Sequence, residues 1–192
     1  MRSGRVLVTT TRRPSPRTRS LVRDLVSVIP GAIRLTRGHM NTEELAFEAA
    51  SRGVERVLII GTRRGNPSIA RFYRPAPPKL EHIGTLIIRG VTLGREARTT
   101  FSPPRGFQDY QVLVRADDAE PLTSHVAEIL MRGLKARVEV PGARVDRAVV
   151  IGVGARGDYS EVRFFYGGRR IGPVLRVTLP RGGVVGGSEG EG

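Results

Sequence analysis

A strand, a glycine turn and a second strand recur in the same order in two parts of this chain, and this internal repeat limits the possible folds more than any other feature. Residues 54–73 read VERVLIIGTRRGNPSIARFY and residues 145–166 read VDRAVVIGVGARGDYSEVRFFY, so the copies close on Arg-Phe-Tyr and Arg-Phe-Phe-Tyr. Downstream, Val91-Thr92-Leu93 matches Val177-Thr178-Leu179; upstream, Val6-Leu7-Val8 corresponds to Val112-Leu113-Val114. A repeat of ordered elements means that one supersecondary unit is used twice. Each copy mixes strands with helices, which predicts an α/β protein of two tandem, structurally similar halves with mixed sheets and helices laid on their faces. The 192 residues suffice for two such units.

In the first half, the run from Arg5 to Thr10 predicts a buried strand that ends at Pro14 and Pro16, where ladder pairing stops. Ser15 as N-cap and Pro16 in the first turn open a helix whose Leu21, Val22, Leu25, Val26 and Ile29 share one face, and Pro30-Gly31 closes it. Ala32 to Leu35 predicts a second strand. Asn41, with Glu44 three residues on, has capping-box spacing and opens a helix to Arg52, stopped by Gly53. Val54 to Gly61 is the strongest strand signal. Ile69 to Tyr73 and Thr85 to Leu93 come next as strands joined through the turn-rich Pro75-Ala76-Pro77-Pro78.

The second copy has a helix from Pro121 to Arg132 with Gly133 as its stop and a strand from Ala136 to Val140. It lacks a counterpart of the Asn41 helix. The expected organisation is a basic first half over 1–94, a connector over 95–108 around Pro103-Pro104-Arg105-Gly106, a shorter second half over 109–180, and a Gly-rich, disordered tail over 181–192.

Charge identifies the kind of partner. Lys plus Arg total 32 against 18 Asp plus Glu, and all but Lys79 and Lys135 are Arg, the residue suited to forked contacts with phosphate. Residues 1–74 hold 15 Arg and 5 acidic residues, so +10 of the net +14 lies there. The segment from Thr10 to Ser20 places Arg12, Arg13, Arg17 and Arg19 around a helix N-terminus, where unpaired N–H groups favour anions. Arg37 follows the second strand, and Arg63-Arg64-Gly65-Asn66 follows the third. If these strands run parallel, their carboxyl ends bring all three basic loops to one sheet edge. Arg169-Arg170, on a hairpin turn, is either an auxiliary phosphate contact or merely solvated.

Other chemistries find little support. The absence of Cys excludes disulfide and thiolate chemistry, and His39, His82 and His125 lack metal-ligand spacing. No Ser-His-Asp or paired-carboxylate arrangement stands out, so the chain is not expected to be an enzyme or to need a cofactor. Asp117, Asp118 and Glu120 precede a helix, where acids complement its dipole. Gly152-Val153-Gly154-Ala155-Arg156-Gly157 fits a dinucleotide fingerprint, but the segment after it, Asp158 to Tyr166, reads as a strand and not a helix, so these glycines are expected to serve a turn. Phe72-Tyr73 and Phe164-Phe165-Tyr166 suit a core better than base stacking. Without a membrane-length apolar run or a signal-peptide core, a soluble, cytoplasmic protein is expected.

The run Thr9 to Arg19, then Arg37-Gly38, then Ile60-Gly61 to Gly65-Asn66-Pro67, resembles the Brix-domain proteins of ribosome biogenesis, in particular their short archaeal members. The resemblance spans about Arg5 to Pro180. It implies a duplicated fold similar to the anticodon-binding domain of class II aminoacyl-tRNA synthetases and a role in rRNA processing and subunit assembly. It also implies rRNA or pre-rRNA as partner, with other assembly proteins, and no membrane or small-molecule substrate. Arg12, Arg13, Arg17, Arg19, Arg37, Arg63, Arg64 and Asn66 match the family's basic loops and are the expected RNA contacts. Eukaryotic relatives carry basic tails, whereas the last acidic residues here are Glu189 and Glu191, so the eukaryotic partners are not expected to carry over. The competing expectation is a protein-interaction scaffold within a pre-ribosomal particle.

Overall fold

A computed structural model describes residues 6–142 and 145–182. The first half runs β1 (Val6–Thr10), α1 (Pro16–Val28), β2 (Ala32–Arg34), α2 (Thr42–Ser51), β3 (Arg56–Arg63), β4 (Asn66–Ala76) and β5 (Lys79–Thr92). A short helix, α3 (Gly94–Ala97), and a single 3₁₀ turn, Phe107–Asp109, lead to the second half. That half contains β6 (Gln111–Ala116), α4 (Pro121–Leu134), β7 (Arg137–Val138), β8 (Ala148–Arg156), β9 (Tyr159–Tyr166) and β10 (Arg169–Thr178).

The strand order, β2-β1-β3-β4-β5-β10-β9-β8-β6-β7, reads the same from either edge when each strand is replaced by its repeat counterpart. The repeat in the sequence is therefore a two-fold pseudosymmetry in space, with its axis between β5 and β10. Two units with their own sheets were expected. Instead β5 and β10 pair antiparallel, from Val174 opposite Thr92 to Thr178 opposite Ile87, and fuse the halves into one ten-stranded mixed sheet. Fusion satisfies the inner edge of each half-sheet, which would otherwise present a long row of unpaired backbone groups.

Both α1 and α4 lie on the same face of this sheet, and each reaches across the axis. α1 contacts β10 as well as β1 and β2, and α4 contacts β5 and β4 as well as β6. One apolar cluster consequently joins Leu25, Val28 and Ile29 of α1 to Leu175 and Val177, and Val126, Leu130 and Leu134 of α4 to Phe72 and Leu86. A smaller second core, Leu7, Leu45, Ala49, Val57 and Ile59, lies beneath α2 on the other face of the first half. The second half has no helix there, so Arg115, Arg163 and Arg176 occupy that side of its sheet.

The helix signals of the first half hold at the atomic level. The Ser15 side chain accepts from the Thr18 N–H at 3.1 Å, with Pro16 in the first turn. Asn41 and Glu44 form the reciprocal capping box, at 2.8 and 2.7 Å. Four expectations need correction. Gly133 does not stop its helix, which continues to Leu134 and ends at Lys135 in left-handed conformation. Gly133 instead faces Phe72, and a Cβ there would overlap the aromatic ring. β4 and β5 extend beyond their apolar cores, so Pro75 and Ala76 lie within β4 and only Pro77-Pro78 turn. The strand expected over Ala136 to Val140 shrinks to two paired residues, Leu113 opposite Arg137 and Val114 opposite Val138.

The fourth correction concerns Gly152 and Gly154. They lie inside β8 and not in a turn. Both face the side of the sheet without a helix, where Phe165 and Arg115 cover Gly152 and Arg163 and Asp117 cover Gly154. The missing side chains make room for guanidinium groups lying flat on the sheet, with the Arg115 guanidinium 5.4 Å from the Phe165 ring centre. The acids before α4 are also engaged, as Asp117 pairs with Arg115 and Arg163 and Asp118 accepts from the Ala155 N–H. Of the aromatic residues expected in the core, Phe72 and Phe164 are buried in the main one and Tyr166 and Tyr73 are half-buried against the main and the smaller core, but Phe165 is half-buried on the opposite face beneath Arg115, because its place in the strand alternation turns it away from α4. The predicted disordered tail falls, from residue 183 onward, outside the described residues.

Candidate nucleic-acid interface

The parallel arrangement that would gather the basic loops is present. β1 pairs in parallel with β2 on one side and with β3 on the other. The loop after β1, the end of β2 and the β3–β4 turn therefore share one sheet edge, which is where open α/β sheets place their ligands.

Short polar side chains hold this edge in shape. The Thr11 N–H donates to the Ile60 carbonyl at 3.0 Å, which carries the β1 ladder one residue past its strand. Thr62 then ties the end of β3 to the start of α1: its hydroxyl lies 2.7 Å from that of Thr18 and accepts from the Ser15 N–H at 3.4 Å. With the polar atoms of Ser15, Thr18 and Thr62 satisfied internally, the long side chains of Arg12, Arg13, Arg63 and Arg64 are left exposed. Asn66 is also exposed and donates to the Arg64 carbonyl at 3.2 Å, bracing the turn. Arg13 and Arg64 both adopt positive φ, 54° and 49°. This conformation is uncommon for a residue with a long side chain.

Two predicted residues are engaged elsewhere. Arg37 is 7 % exposed, and its guanidinium donates to the Met40 carbonyl at 3.1 Å and to the Thr42 hydroxyl at 3.5 Å, fixing the loop that enters α2. Arg17 forms a two-pronged pair with Glu96 at 2.6 and 2.9 Å and donates to the Val91 carbonyl at 2.9 Å, tying α1 to α3 and the end of β5. Arg19 is exposed on the first turn of α1. The chain-local reading missed Arg23, Arg34 and Arg95, which join Arg17 and Arg19 around an open cleft of about 470 Å³ beside this edge. They come from a helix, an edge strand and a residue far along the chain, so no sequence window contains them.

The Arg17 hydrogen bonds, and after them one from the Leu93 N–H, pull the Glu96 carboxyl from 4.5 to about 2. A carboxylate depressed in the folded state contributes stability above its ordinary value and loses it as pH falls through the folded value. The melting-temperature difference between the parent and Glu96→Gln is therefore expected to shrink between about pH 4.5 and pH 2. The effect should be small, because both side chains are about one-third exposed. A difference that stays constant across this window would mean that the pair does not couple α3 to α1.

Fold and surface together define a class: a duplicated α/β protein built around one continuous sheet, with an arginine-covered edge at the ends of its parallel strands. Among the described residues no helix is long and apolar enough to cross a membrane, and no group of His, Asp and Glu is arranged to hold a metal. No protein-family model matches the chain. It is 44% identical over 179 residues to an Aeropyrum pernix protein named "Probable Brix domain-containing ribosomal biogenesis protein", covering 90% of this chain and 94% of that one. The crystal structure of a probable ribosomal biogenesis protein from Aeropyrum pernix superposes with a TM-score of 0.84 at 40% identity, covering 93% of this chain and 98% of the other. The archaeal Imp4-like protein Mil shares the fold, with a TM-score of 0.62 at 21% identity over 90% of this chain and 96% of its own. The chain belongs to the Brix-domain ribosomal biogenesis proteins, a family of non-enzymatic assembly factors.

Proposed function

We propose that this protein binds ribosomal RNA through phosphate contacts along the edge formed by β1, β2 and β3, and thereby assists rRNA processing and subunit assembly in the cytoplasm. One observation carries this reading. Arg12, Arg13, Arg63 and Arg64 stand exposed together on a braced edge with no carboxylate paired to any of them among the described residues. Some surface arginines elsewhere are paired, as Arg52 is with Glu48 and Arg74 with Glu81, and others such as Arg105 and Arg170 have no ion pair among the described residues, so what distinguishes this edge is that four unpaired guanidinium groups gather on it. Unpaired arginine held on a rigid support suits phosphate oxygens, which accept forked N–H donors. Within this reading Arg37 and Arg17 shape the surface and Asn66 braces it. Other assembly proteins are the expected further partners.

The test is fluorescence anisotropy of labelled rRNA fragments over a salt series, comparing the parent with Arg12→Glu, Arg13→Glu, Arg64→Glu. Tight, salt-sensitive binding is expected in the parent. The variant should lose at least about tenfold in affinity on every fragment alike and show a shallower salt slope, since backbone contacts carry no sequence information. A parent that binds no fragment at moderate salt would overturn the reading in favour of a scaffold docking an acidic protein.

A further inference from the structure

The cleft beside the edge has features that the fold does not require. Arg19 and Arg23, one helical turn apart on α1, Arg34 at the end of β2 and Arg95 on α3 line it together with Arg17 and Ser20. Among the described residues only Arg17 is neutralised, by Glu96. Arg23 donates to the Ser20 hydroxyl at 3.0 Å, and Arg19, Arg34 and Arg95 have no ion pair among the described residues.

Three aspects of this arrangement oppose stability. Like charges at i,i+4 repel. Cations near a helix N-terminus face the positive end of its dipole, and the first turn of α1 has no acidic residue to offset this. Arg34 and Arg95 then add positive charge from two other elements. Asp24 accepts from the Gly94 N–H at 2.8 Å and so positions α3 with its Arg95, without forming an ion pair with any of these arginines.

We infer that this cleft is a second RNA-backbone site, in which Arg19, Arg23, Arg34 and Arg95 grip phosphodiester groups of a strand continuing from the edge. The inference rests on the proposed rRNA reading and extends it to residues that the edge does not include. The lining specifies the ligand class. Besides Pro16, Ser20 and the Arg17 guanidinium that Glu96 holds, four guanidinium groups without an ion pair among the described residues line it, and no aromatic side chain is present to stack a base. The cleft can therefore read phosphates and not bases, and its contribution should be independent of sequence. Because it is open and adjoins the β1–α1 loop, a polymer can cross it without ending there.

The test compares two triple variants in one anisotropy experiment on a labelled rRNA hairpin and an unrelated hairpin of equal length. One is Arg23→Gln, Arg34→Gln, Arg95→Gln in the cleft, and the other is Arg12→Gln, Arg13→Gln, Arg64→Gln on the edge. The cleft variant is expected to bind both hairpins at least about tenfold more weakly at low salt. Its log–log salt slope should fall by about 1 to 2, the loss of roughly two phosphate contacts. It should also melt no lower than the parent at low salt, because repulsion has been relieved, and this separates a binding role from a structural one. A cleft variant with the parent's affinity and slope, while the edge variant loses both, overturns the cleft and leaves the edge standing. A cleft variant that melts well below the parent makes these arginines structural and also overturns it. A parent that binds neither hairpin overturns the edge and the cleft together.

Discussion

Replacing Gly133 by valine is expected to unfold this protein at a temperature about 10 °C below the parent. Gly133 lies in the last turn of α4, and a Cβ there would overlap the Phe72 side chain in the middle of β4. Phe72 is buried and packed into the main core, so it cannot turn out to solvent. Relief would require α4 to lift away from the sheet, separating Leu130 and Leu134 from the first half. Overpacking typically costs about 1–3 kcal/mol, and a Cβ set against an immobile aromatic ring belongs at the upper end of that range; for a chain of this size each kcal/mol lowers the melting temperature by about 2–4 °C. The pairwise nature of the clash gives a sharper test. Gly133→Ala combined with Phe72→Leu should recover much of what Gly133→Ala loses alone, a coupling measurable by a double-mutant cycle in thermal or denaturant unfolding. If Gly133→Val melts with the parent, α4 does not rest on Phe72 and the helix does not hold the two halves together across the axis.

The second large effect concerns the halves themselves. Residues 1–108 and 109–192, expressed separately, are expected to lack a cooperative unfolding transition, and to regain one when produced together. A duplicated sequence suggests two autonomous units, but the packing opposes autonomy. In an isolated first half, the faces of Leu25, Val28 and Ile29 lose Leu175 and Val177, and the stretch of β5 from Ile87 to Thr92 loses its pairing partner. In an isolated second half, Val126, Leu130 and Leu134 lose Phe72 and Leu86. Each large apolar side chain returned to water costs about 1.5–3 kcal/mol, so five or six of them cost about as much as the roughly 5–15 kcal/mol by which a typical domain is stable. A long unpaired edge also invites aggregation. Circular dichroism melts and amide proton dispersion would decide the matter. A sharp melt for residues 1–108 alone would show that the first half is a domain in its own right.

Local chemistry makes much of this molecule legible in its residues alone. The Ser15 cap with Pro16, the Asn41 and Glu44 box, and the β-branched runs of β1, β3 and β8 are decided within a few residues, because capping and strand propensity act over that range. The repeat and the absence of an α2 counterpart are also readable from the letters. The misreadings share a cause. Glycine has several uses, and a sequence window cannot tell them apart. Gly133 resembles a helix stop but clears space for Phe72, whereas Gly152 and Gly154 resemble a turn or a nucleotide loop but clear space for arginine and phenylalanine side chains.

The candidate site divides in the same way. That arginines cluster after three strands is visible in order along the chain, and the parallel pairing of β1, β2 and β3 needs only the usual rule for where α/β proteins gather their loops. Which of those arginines face solvent is not visible. Arg17 is held by Glu96 from 79 residues away, an acceptor that only folding brings near, whereas Arg37 is buried against Met40 and Thr42, three and five residues on, because the loop into α2 folds back over its guanidinium. The sequence by itself determined the duplication, the element types, the helix caps and the sign of the partner's charge, all properties of residue type and short-range spacing. The tertiary structure alone decided that β5 and β10 close the two copies into one sheet, that α1 and α4 each cover the other half, and that Arg23, Arg34 and Arg95 meet at one cleft. These depend on contacts between residues distant in the chain, whose partners are chosen by burial of a shared core and not by local spacing.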